Sequence, residues 1–198
     1  MRYGPGTALV VVDVQNDFAD PNGSLYVAGA EQAVRRVVEE VRAATEAGAP
    51  VLYTADWHPP STPHFTTDGG VWPVHCVADT WGAAFHPDLP VEGPVIRKGV
   101  DGEDGYSGFS VRDPESGQEA PTALEGLLHE RDITHVVVTG IATDVCVAAT
   151  VTDARRLGFD VTVLADATAA VEMEPGDTDA ALSAMRDAGA VVDGRPAT

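Results

Sequence analysis

The chain has 198 residues, of which 44% are apolar, so it can bury a sizeable core in one compact domain. Its 31 acidic residues against 12 basic ones give a net charge of −19, which argues against nucleic acid and anionic membranes as partners. No apolar stretch is long enough to span a membrane, the first residues lack a signal-peptide layout, and two cysteines are too few for a disulfide framework, so we expect a cytoplasmic protein.

Two patterns of apolar residues alternate along the chain. Continuous apolar runs predict buried strands at residues 7–12, 50–55, 94–97, 133–139, 160–164 and 190–192. Apolar residues at helical spacing predict helices at residues 30–47, at 122–130, between a turn at 141–144 and Gly158, and at 177–188. This alternation predicts an α/β fold with three αβα layers: a doubly wound, mostly parallel six-stranded sheet with helices on both faces.

One long connection interrupts this pattern. We expect residues 1–198 to form a single domain with a loop-rich insertion at about residues 56–93. A connection of this length is usually functional or disordered, and its histidines and tryptophans argue against disorder. A second polar, glycine-rich stretch at residues 99–117 predicts another loop.

Four chemically reactive side chains lie at, or just past, the carboxyl ends of four predicted strands: Asp13, Asp56, Lys98 and Cys146. In a parallel sheet these ends meet along one edge, where open α/β folds form their ligand crevice. A carboxylate at the end of a buried strand is costly unless it is paired or used. Asp17, by contrast, is expected to be a solvated loop acid. The convergence of the four residues predicts a functional site.

Cys146 follows a strand and a tight turn, in what the pattern predicts to be the first turn of a helix. Thr143 or Asp144 can cap that helix by accepting hydrogen bonds from its free N–H groups. The helix dipole and these N–H groups favour a thiolate at this position. The alternative is an inert, buried core cysteine, which is the commoner role of a free cysteine.

Lys98 is the only lysine among the 12 basic residues; the other 11 are arginine. A lysine kept at this position indicates a site where the larger, planar guanidinium of arginine cannot replace the compact ammonium of lysine. With Asp13 as the base and Lys98 holding the charges, Cys146 would be an activated nucleophile. The alternatives are a structural Asp13–Lys98 ion pair beneath a buried cysteine, and chance survival of one surface lysine.

The insertion has the composition of a divalent metal site, with candidate ligands Asp56, His58, His64 and His75. Imidazole and carboxylate suit zinc, iron or manganese, and the sequence does not select among them. The alternative is a set of scattered surface histidines, and we interpret the remaining ones in that way: His86, His129 and His135. Cys76 is interpreted as a core residue, because adjacent side chains in an extended loop point apart.

Three aromatic residues lie near the candidate site residues in the sequence: Phe18 follows Asp13, and Trp57 and Trp72 lie among the candidate metal ligands. Such side chains can wall a pocket for a flat ring, but aromatic residues are more often part of the core. Both interpretations stay open at this point.

Five motifs follow one another along the chain. They are DVQNDF at residues 13–18, DWHP at 56–59 followed by His64, WPVHC at 72–76, RKG and DGYSGF within 97–109, and GIATDVCVAATVTDARRLGF at 140–159. Together they resemble the isochorismatase-like cysteine hydrolases over about residues 8–170. Within that superfamily, the metal-ligand set is similar to that of the nicotinamidases, also called pyrazinamidases.

The resemblance implies a catalytic triad of Asp13, Lys98 and Cys146. It also implies an oxyanion hole formed by the backbone N–H groups of Ala142 and Cys146. In this family the peptide bond before that alanine, here Ile141–Ala142, is cis.

The resemblance further implies a metal site and a substrate pocket. The metal ligands would be Asp56, His58 and His75, with His64 as a further ligand in some members. The substrate would be bound by Phe18, Trp72 and Ile141.

The implied activity is hydrolysis of nicotinamide to nicotinate and ammonia through a thioester, as a step of NAD salvage, with pyrazinamide as a side substrate. The metal would bind the ring nitrogen of the substrate. Family members range from monomers to larger assemblies, so a homo-oligomer is compatible with the resemblance. Two alternatives stay open: another amidase of the superfamily, acting on a carbamoyl, maleamate-type or cyclic amide, and a catalytically idle metal-binding relative.

Two loops depart from the family pattern. Asp79 stands where a glycine is common, and residues 102–105 are unusually acidic and glycine-rich. Both loops are expected near the mouth of the pocket, so they bear on the substrate and leave the triad intact.

Overall fold

The structure, a computed structural model, describes residues 3–197. The strands of this part of the chain are β1 (Thr7–Val12), β2 (Val51–Asp56), β3 (Val95–Lys98), β4 (Ser110–Arg112), β5 (Glu119–Pro121), β6 (His135–Ile141), β7 (Asp160–Ala169) and β8 (Val191–Asp193). Six of them form one parallel sheet in the order β3-β2-β1-β6-β7-β8, and β4 pairs with β5 in a separate antiparallel hairpin.

Helices cover both faces of the sheet. They are α1 (Asn16–Ala19), α2 (Ala30–Glu46), α3 (Leu124–His129), α4 (Ala148–Arg156) and α5 (Asp177–Asp187), with a 3₁₀ turn at Thr66–Asp68 and a π-helical turn at Thr143–Val147. The buried side of α2 packs on one face, and α3, α4 and α5 pack on the other. The predicted doubly wound αβα fold is therefore confirmed. None of the helices in residues 3–197 combines the length and the apolar character needed to cross a bilayer.

Strand β1 shows why the strand sequences are uniformly apolar. Val11 packs in the same cluster as Val37 of α2, whereas its neighbour Val10 packs in the cluster that holds Val151 of α4. Successive side chains of a strand point to opposite faces, so a strand covered on both faces needs apolar residues at every position. All six residues of β1 are buried.

The direction in which strands are added reverses between β1 and β6. The chain builds outward from β1 through β2 to β3, then returns beside β1 and builds outward through β7 to β8. Ligand crevices of open α/β sheets form at such a switch point, outside the carboxyl ends of the strands. Gly140 permits the close approach of β6 to β1 there: its φ is +113°, and a Cβ would lie 2.0 Å from the carbonyl oxygen of Val12.

Five short elements were not predicted. Strand β4 lies within the stretch 99–117, where the sequence predicts only a loop, and β5 follows that stretch. Helix α1 follows β1, and the 3₁₀ turn at Thr66–Asp68 lies in the insertion. The helix expected after residue 141 begins with the π-helical turn at Thr143–Val147 and becomes α-helical at Ala148. Elements of three to five residues are too short to show a periodic apolar pattern, which is why the sequence did not reveal them.

The insertion between β2 and β3 has little regular structure, but Asp17 anchors it. This residue was expected to be solvated, which is wrong: its carboxylate is buried and accepts hydrogen bonds from the N–H groups of Cys76 (2.7 Å) and Ser24 (3.0 Å). A second link closes the insertion on itself, because His58 and the Cys76 carbonyl are joined by a backbone hydrogen bond of 3.0 Å. The segment that carries His75 is thereby fixed against β2 and α1.

Candidate active site

Lys98 lies between two carboxylates at the carboxyl edge of the sheet. Its ammonium donates to Asp13 Oδ2 at 2.8 Å and lies 2.8 Å from Asp56 Oδ1. It also donates to the carbonyl oxygen of Gly105. Lys98 and Asp13 are completely buried, so this is not the surface lysine considered as an alternative. Burial would lower the pKa of Lys98, but the carboxylates Asp13 and Asp56 outweigh it and raise the pKa well above its usual value.

Register and local conformation bring these groups together. Parallel pairing sets Asp56 directly opposite Lys98. Asp13 has a φ of +48°, an unusual conformation for a residue other than glycine, which turns the chain inward as β1 ends. Gln15, which the sequence analysis did not single out, holds the Asp56 backbone by accepting from its N–H at 2.8 Å and donating to its carbonyl at 2.7 Å.

Cys146 completes the cluster from the other side of the switch point. Its sulfur and one oxygen each of Asp13 and Asp56 lie within 4.8 Å of one another. The cysteine sits in the π-helical turn rather than in an α-helical first turn. The triad residues are thus brought together, and Cys146, 7% exposed, retains a small opening to the cavity described below.

Neither predicted cap serves the helix that carries Cys146. The Asp144 carboxylate instead accepts from the N–H groups of Val171 (2.9 Å) and Glu172 (2.7 Å), and Thr143 donates to the Thr168 hydroxyl at 2.8 Å. These side chains therefore bind the end of β7 and the segment after it to the site. The expected cis peptide bond between Ile141 and Ala142 is present.

The protonation states differ from the thiolate expected from the helix dipole. Burial raises the pKa of the Cys146 thiol well above its usual value, despite the lowering effect of Lys98. Burial also raises the pKa of Asp13, to about 6, against the opposing influence of Lys98. At neutral pH the cysteine is therefore a thiol and Asp13 is mostly a carboxylate. The arrangement suits transfer of the thiol proton to Asp13 when a substrate is attacked.

Three histidines of the insertion converge beside Asp56. One ring nitrogen each of His58, His64 and His75 lies within 4.8 Å of the others. The Nε2 atoms of His58 and His75 lie 3.9 and 3.8 Å from Asp56 Oδ2. The alternative of scattered surface histidines is wrong for these three, because all are buried.

The donor set fits a divalent metal ion. Both ring nitrogens of His58 are buried without a hydrogen-bond partner among residues 3–197, which is costly unless another group binds them. The Nδ1 edge of the His58 ring packs against the backbone of Gly99, where a Cβ atom would lie only 2.4 Å from Nδ1. The Nε2 atom therefore faces the cluster of candidate ligands. Burial lowers the pKa of His58 to about 4, which keeps the imidazole neutral, as a metal ligand must be.

The other two imidazoles are oriented by hydrogen bonds at Nδ1. His75 Nδ1 lies 2.7 Å from the carbonyl oxygen of Pro73, and His64 Nδ1 lies 2.7 Å from Asp104 Oδ1. Such contacts place the proton on Nδ1 and leave the Nε2 lone pair for a metal. Burial lowers the pKa of His64 as well, against the opposing effect of the hydrogen bond that His64 donates to Asp104.

A small cavity opens between Cys146 and the candidate metal ligands Asp56, His64 and His75. The three predicted substrate-binding residues line it: Phe18, Trp72 and Ile141. The sequence analysis did not identify five further lining residues, which come from distant parts of the chain: Leu25, Val27, Tyr106, Val145 and Val171. Trp57 is not among the lining residues; its ring instead packs under the guanidinium of Arg97, 3.8 Å from the ring centroid.

Residues interpreted as structural lie outside this cavity. Cys76 is fully buried in the core, and burial raises the pKa of its thiol well above the usual value. His129 packs on Phe159, and His135 hydrogen-bonds the Thr162 hydroxyl at 2.9 Å.

Comparison with known proteins identifies the family of this chain. The family model described as the isochorismatase domain matches residues 7–194. The chain belongs to the isochorismatase family. Among curated members of that family, the nicotinamidase/pyrazinamidase of Mycobacterium tuberculosis is 41% identical over 186 residues, which cover 91% of this chain and 95% of that protein.

Two solved structures have the same fold as this isochorismatase-family chain. PnC1 from L. infantum, solved in complex with nicotinate, is 37% identical with a TM-score of 0.86, covering 97% of this chain and 94% of the other. The pyrazinamidase of Pyrococcus horikoshii, solved in complex with zinc, is 38% identical with a TM-score of 0.84, covering 95% and 98%.

Proposed function

We propose that this protein is a metal-dependent cysteine amidase that hydrolyses nicotinamide to nicotinate and ammonia. One observation carries the proposal: the same small cavity is lined by Cys146, Asp56, His64 and His75, and its other walls are mostly aromatic and aliphatic. A nucleophile, metal-ligating groups and apolar walls together suit a small, flat, neutral amide with a ring nitrogen. The proposed activity agrees with those of the relatives named above.

The first half of the reaction forms a thioester. Asp13 accepts the proton of Cys146, and the sulfur attacks the amide carbon. Lys98 stabilises the carboxylate of Asp13 before the transfer. Asp13 then returns the proton to the departing nitrogen, so that ammonia leaves and the acyl group stays on the sulfur.

Two other features support the reacting amide. The backbone N–H groups of Ala142 and Cys146 are proposed to hold the developing oxyanion, and donors of this kind are worth about 3 kcal/mol each. Phe18 and Trp72 would hold the substrate ring from the cavity walls. Asp56, His58, His64 and His75 would hold the metal ion, which supplies a Lewis acid for the ring nitrogen and thereby fixes the position of the amide.

The second half of the reaction releases the acid. Asp13, again a carboxylate, accepts a proton from water as the water attacks the thioester carbon. The carbon–sulfur bond breaks, and the proton returns to the Cys146 sulfur. One amide and one water thus become one carboxylic acid and one ammonia, and the enzyme is restored.

The charges that line the cavity also favour a neutral amide such as nicotinamide over an amide that carries a carboxylate. Among residues 3–197 no arginine or lysine side chain lines it, and Asp56 does. The ammonium of Lys98 is already shared by Asp13 and Asp56. A substrate with its own carboxylate, such as a maleamate-type amide, would therefore find no cationic side chain in the cavity, and the metal ion would be its one cationic partner there.

We expect nicotinamide and pyrazinamide to be hydrolysed with a kcat/KM at least about 100-fold above that of maleamate. Maleamate lacks the ring that the aromatic walls and the metal would hold, and its carboxylate finds no cationic side chain in the cavity. The measurement is ammonia release by purified, zinc-loaded protein over a panel of neutral and anionic amides. Comparable or faster hydrolysis of maleamate would overturn the substrate assignment while leaving the amidase chemistry intact.

The pH dependence of kcat/KM should follow the ionisation of Asp13. Its pKa is raised to about 6, and only the deprotonated form accepts the thiol proton, so kcat/KM should fall as the pH drops through about 6. Thr54 donates to Asp13 Oδ1 at 2.6 Å and helps to lower that pKa. Thr54→Val should therefore move the acid limb to higher pH. Rates from pH 5 to 8 with parallel unfolding curves test this; an unmoved limb in the variant would contradict the role of Asp13.

The proposed substrate places the enzyme in NAD salvage, and we propose that it acts in the cytoplasm. Both cysteines are free and buried, as is usual for proteins of a reducing compartment.

A further inference from the structure

The loop from Gly99 to Ser107 contacts three parts of the site. The Gly105 carbonyl accepts from Lys98, Tyr106 lines the cavity, and Asp104 contacts His64. This loop contains the acidic, glycine-rich stretch 102–105, and its Asp104 is also the first residue of the motif DGYSGF. The triad and the cavity do not require an acidic residue at this position, so the role of Asp104 needs its own explanation.

The Asp104 carboxylate is held firmly against His64. Its Oδ1 lies 2.7 Å from His64 Nδ1. The Asp104 backbone pairs with Arg112 through two hydrogen bonds, of 2.8 and 2.9 Å, which fix the point from which the carboxylate extends. Thr62 forms a second link, donating to the Gly102 carbonyl at 2.8 Å and accepting from the His64 N–H at 3.3 Å.

This contact determines which nitrogen of His64 can bind a metal. With Nδ1–H donated to a carboxylate, the lone pair is on Nε2, and the ring is stacked on His58 at a centroid distance of 4.8 Å. A carboxylate at Nδ1 also makes the imidazole a stronger donor. We propose that Asp104 is a positioning residue that makes His64 a ligand of the metal held by Asp56, His58 and His75. This inference rests on the metal-dependent function proposed above.

A purely structural ion pair would give the same contact. In that case a charged His64 would pair with Asp104, and neither would affect metal binding. Metal affinity therefore separates the two explanations without reference to catalysis.

The test is the Zn²⁺ affinity of the purified full chain, measured by competition with a chromophoric chelator. Asp104→Asn keeps the size of the side chain and an acceptor oxygen but removes the charge, and it should weaken Zn²⁺ binding by about 10- to 100-fold. Asp101→Asn is the matched control: it removes the same charge from an exposed position of the same loop and should change affinity by less than about twofold. His58→Ala is the reference for loss of a ligand.

A double-mutant cycle shows whether Asp104 acts through His64. In a His64→Ala background, adding Asp104→Asn should not weaken Zn²⁺ binding further. The Co²⁺ absorption spectra of His64→Ala and of the double variant should also be the same. Wild-type affinity in Asp104→Asn, or equal weakening with and without His64, would overturn the proposal. Unchanged binding in His58→Ala would instead overturn the metal site itself, whereas normal metal binding without nicotinamide hydrolysis would overturn only the proposed substrate.

Discussion

Cys146→Ala is expected to lower ammonia release from nicotinamide by at least about 10⁴-fold, because removal of a nucleophile abolishes the covalent route and leaves only substrate binding and oxyanion stabilisation. The alanine retains the backbone N–H proposed for the oxyanion hole. The hydrogen bond that the thiol makes with Asp13 is lost, but the backbone pairing of the sheet is untouched, so the variant should still fold and bind the substrate. The measurements are single-turnover and steady-state ammonia release, with binding of nicotinamide followed separately.

Cys76→Ala is the matched control. Cys76 is completely buried in the core and lies outside the cavity, so the variant should lose some stability and keep kcat. Iodoacetamide should label Cys146 in preference to Cys76, because the Cys146 thiol opens to the cavity and lies beside Asp13, which can accept its proton; peptide mass spectrometry identifies the labelled residue. Full activity in Cys146→Ala would refute the thioester mechanism, and a Cys146 that resists labelling in an inactive protein would favour the catalytically idle relative.

Lys98→Met is expected to remove activity and to lower the free energy of unfolding by about 3–5 kcal/mol at neutral pH, because it leaves uncompensated carboxylates in the interior. Lys98 and Asp13 are completely buried, and Asp56 is 4% exposed, so water cannot take the place of the ammonium. Methionine is close in length and shape, which limits the effect to the lost charge and hydrogen bonds. Urea unfolding at several pH values gives the stability directly.

The pH dependence of this loss provides the internal check. Without the ammonium, the pKa values of the two carboxyls rise in the folded state, so the penalty should be present at neutral pH and shrink as acid protonates them. Arg97→Met is the control, since it removes a cation from the adjacent, exposed position of β3, and its effect should be within about 1 kcal/mol. Equal losses for the two variants at neutral pH would show that the Lys98 ion pairs do not hold the site together.

Several residues of the site could be predicted because they lie at the ends of predicted strands. Asp13, Asp56, Lys98 and Cys146 each follow an apolar run, and the rule that parallel strands end at one edge was enough to group them. The rule works because a strand buried on both faces has a continuous apolar sequence, and its end is marked where a polar residue appears. The fold class and the six strands of the sheet follow from the same pattern.

Local conformation at the nucleophile was not readable. The sequence allows Thr143 or Asp144 to cap a helix, but the structure uses both to bind residues more than 20 positions away. A helix cap is predicted from neighbouring residues in the sequence. Whether a side chain caps the helix or binds a distant group depends on how β7 and the segment after it pack. The protonation state of Cys146 depends on tertiary structure for a similar reason: burial and two nearby carboxylates outweigh any effect of the helix end.

The sequence by itself therefore determined the layers of the fold, and it supplied the candidate triad residues and the candidate metal ligands, because apolar periodicity marks the strands and residue type marks the groups at their ends. Only the tertiary structure decided that Asp17 anchors a loop, that Tyr106 and Val171 complete the cavity, and that Asp104 reaches His64. The physical reason is that each of these roles is set by a contact across many residues of chain. The sequence of a loop has no periodic pattern, so it does not predict which distant residue a loop side chain will contact in the folded chain.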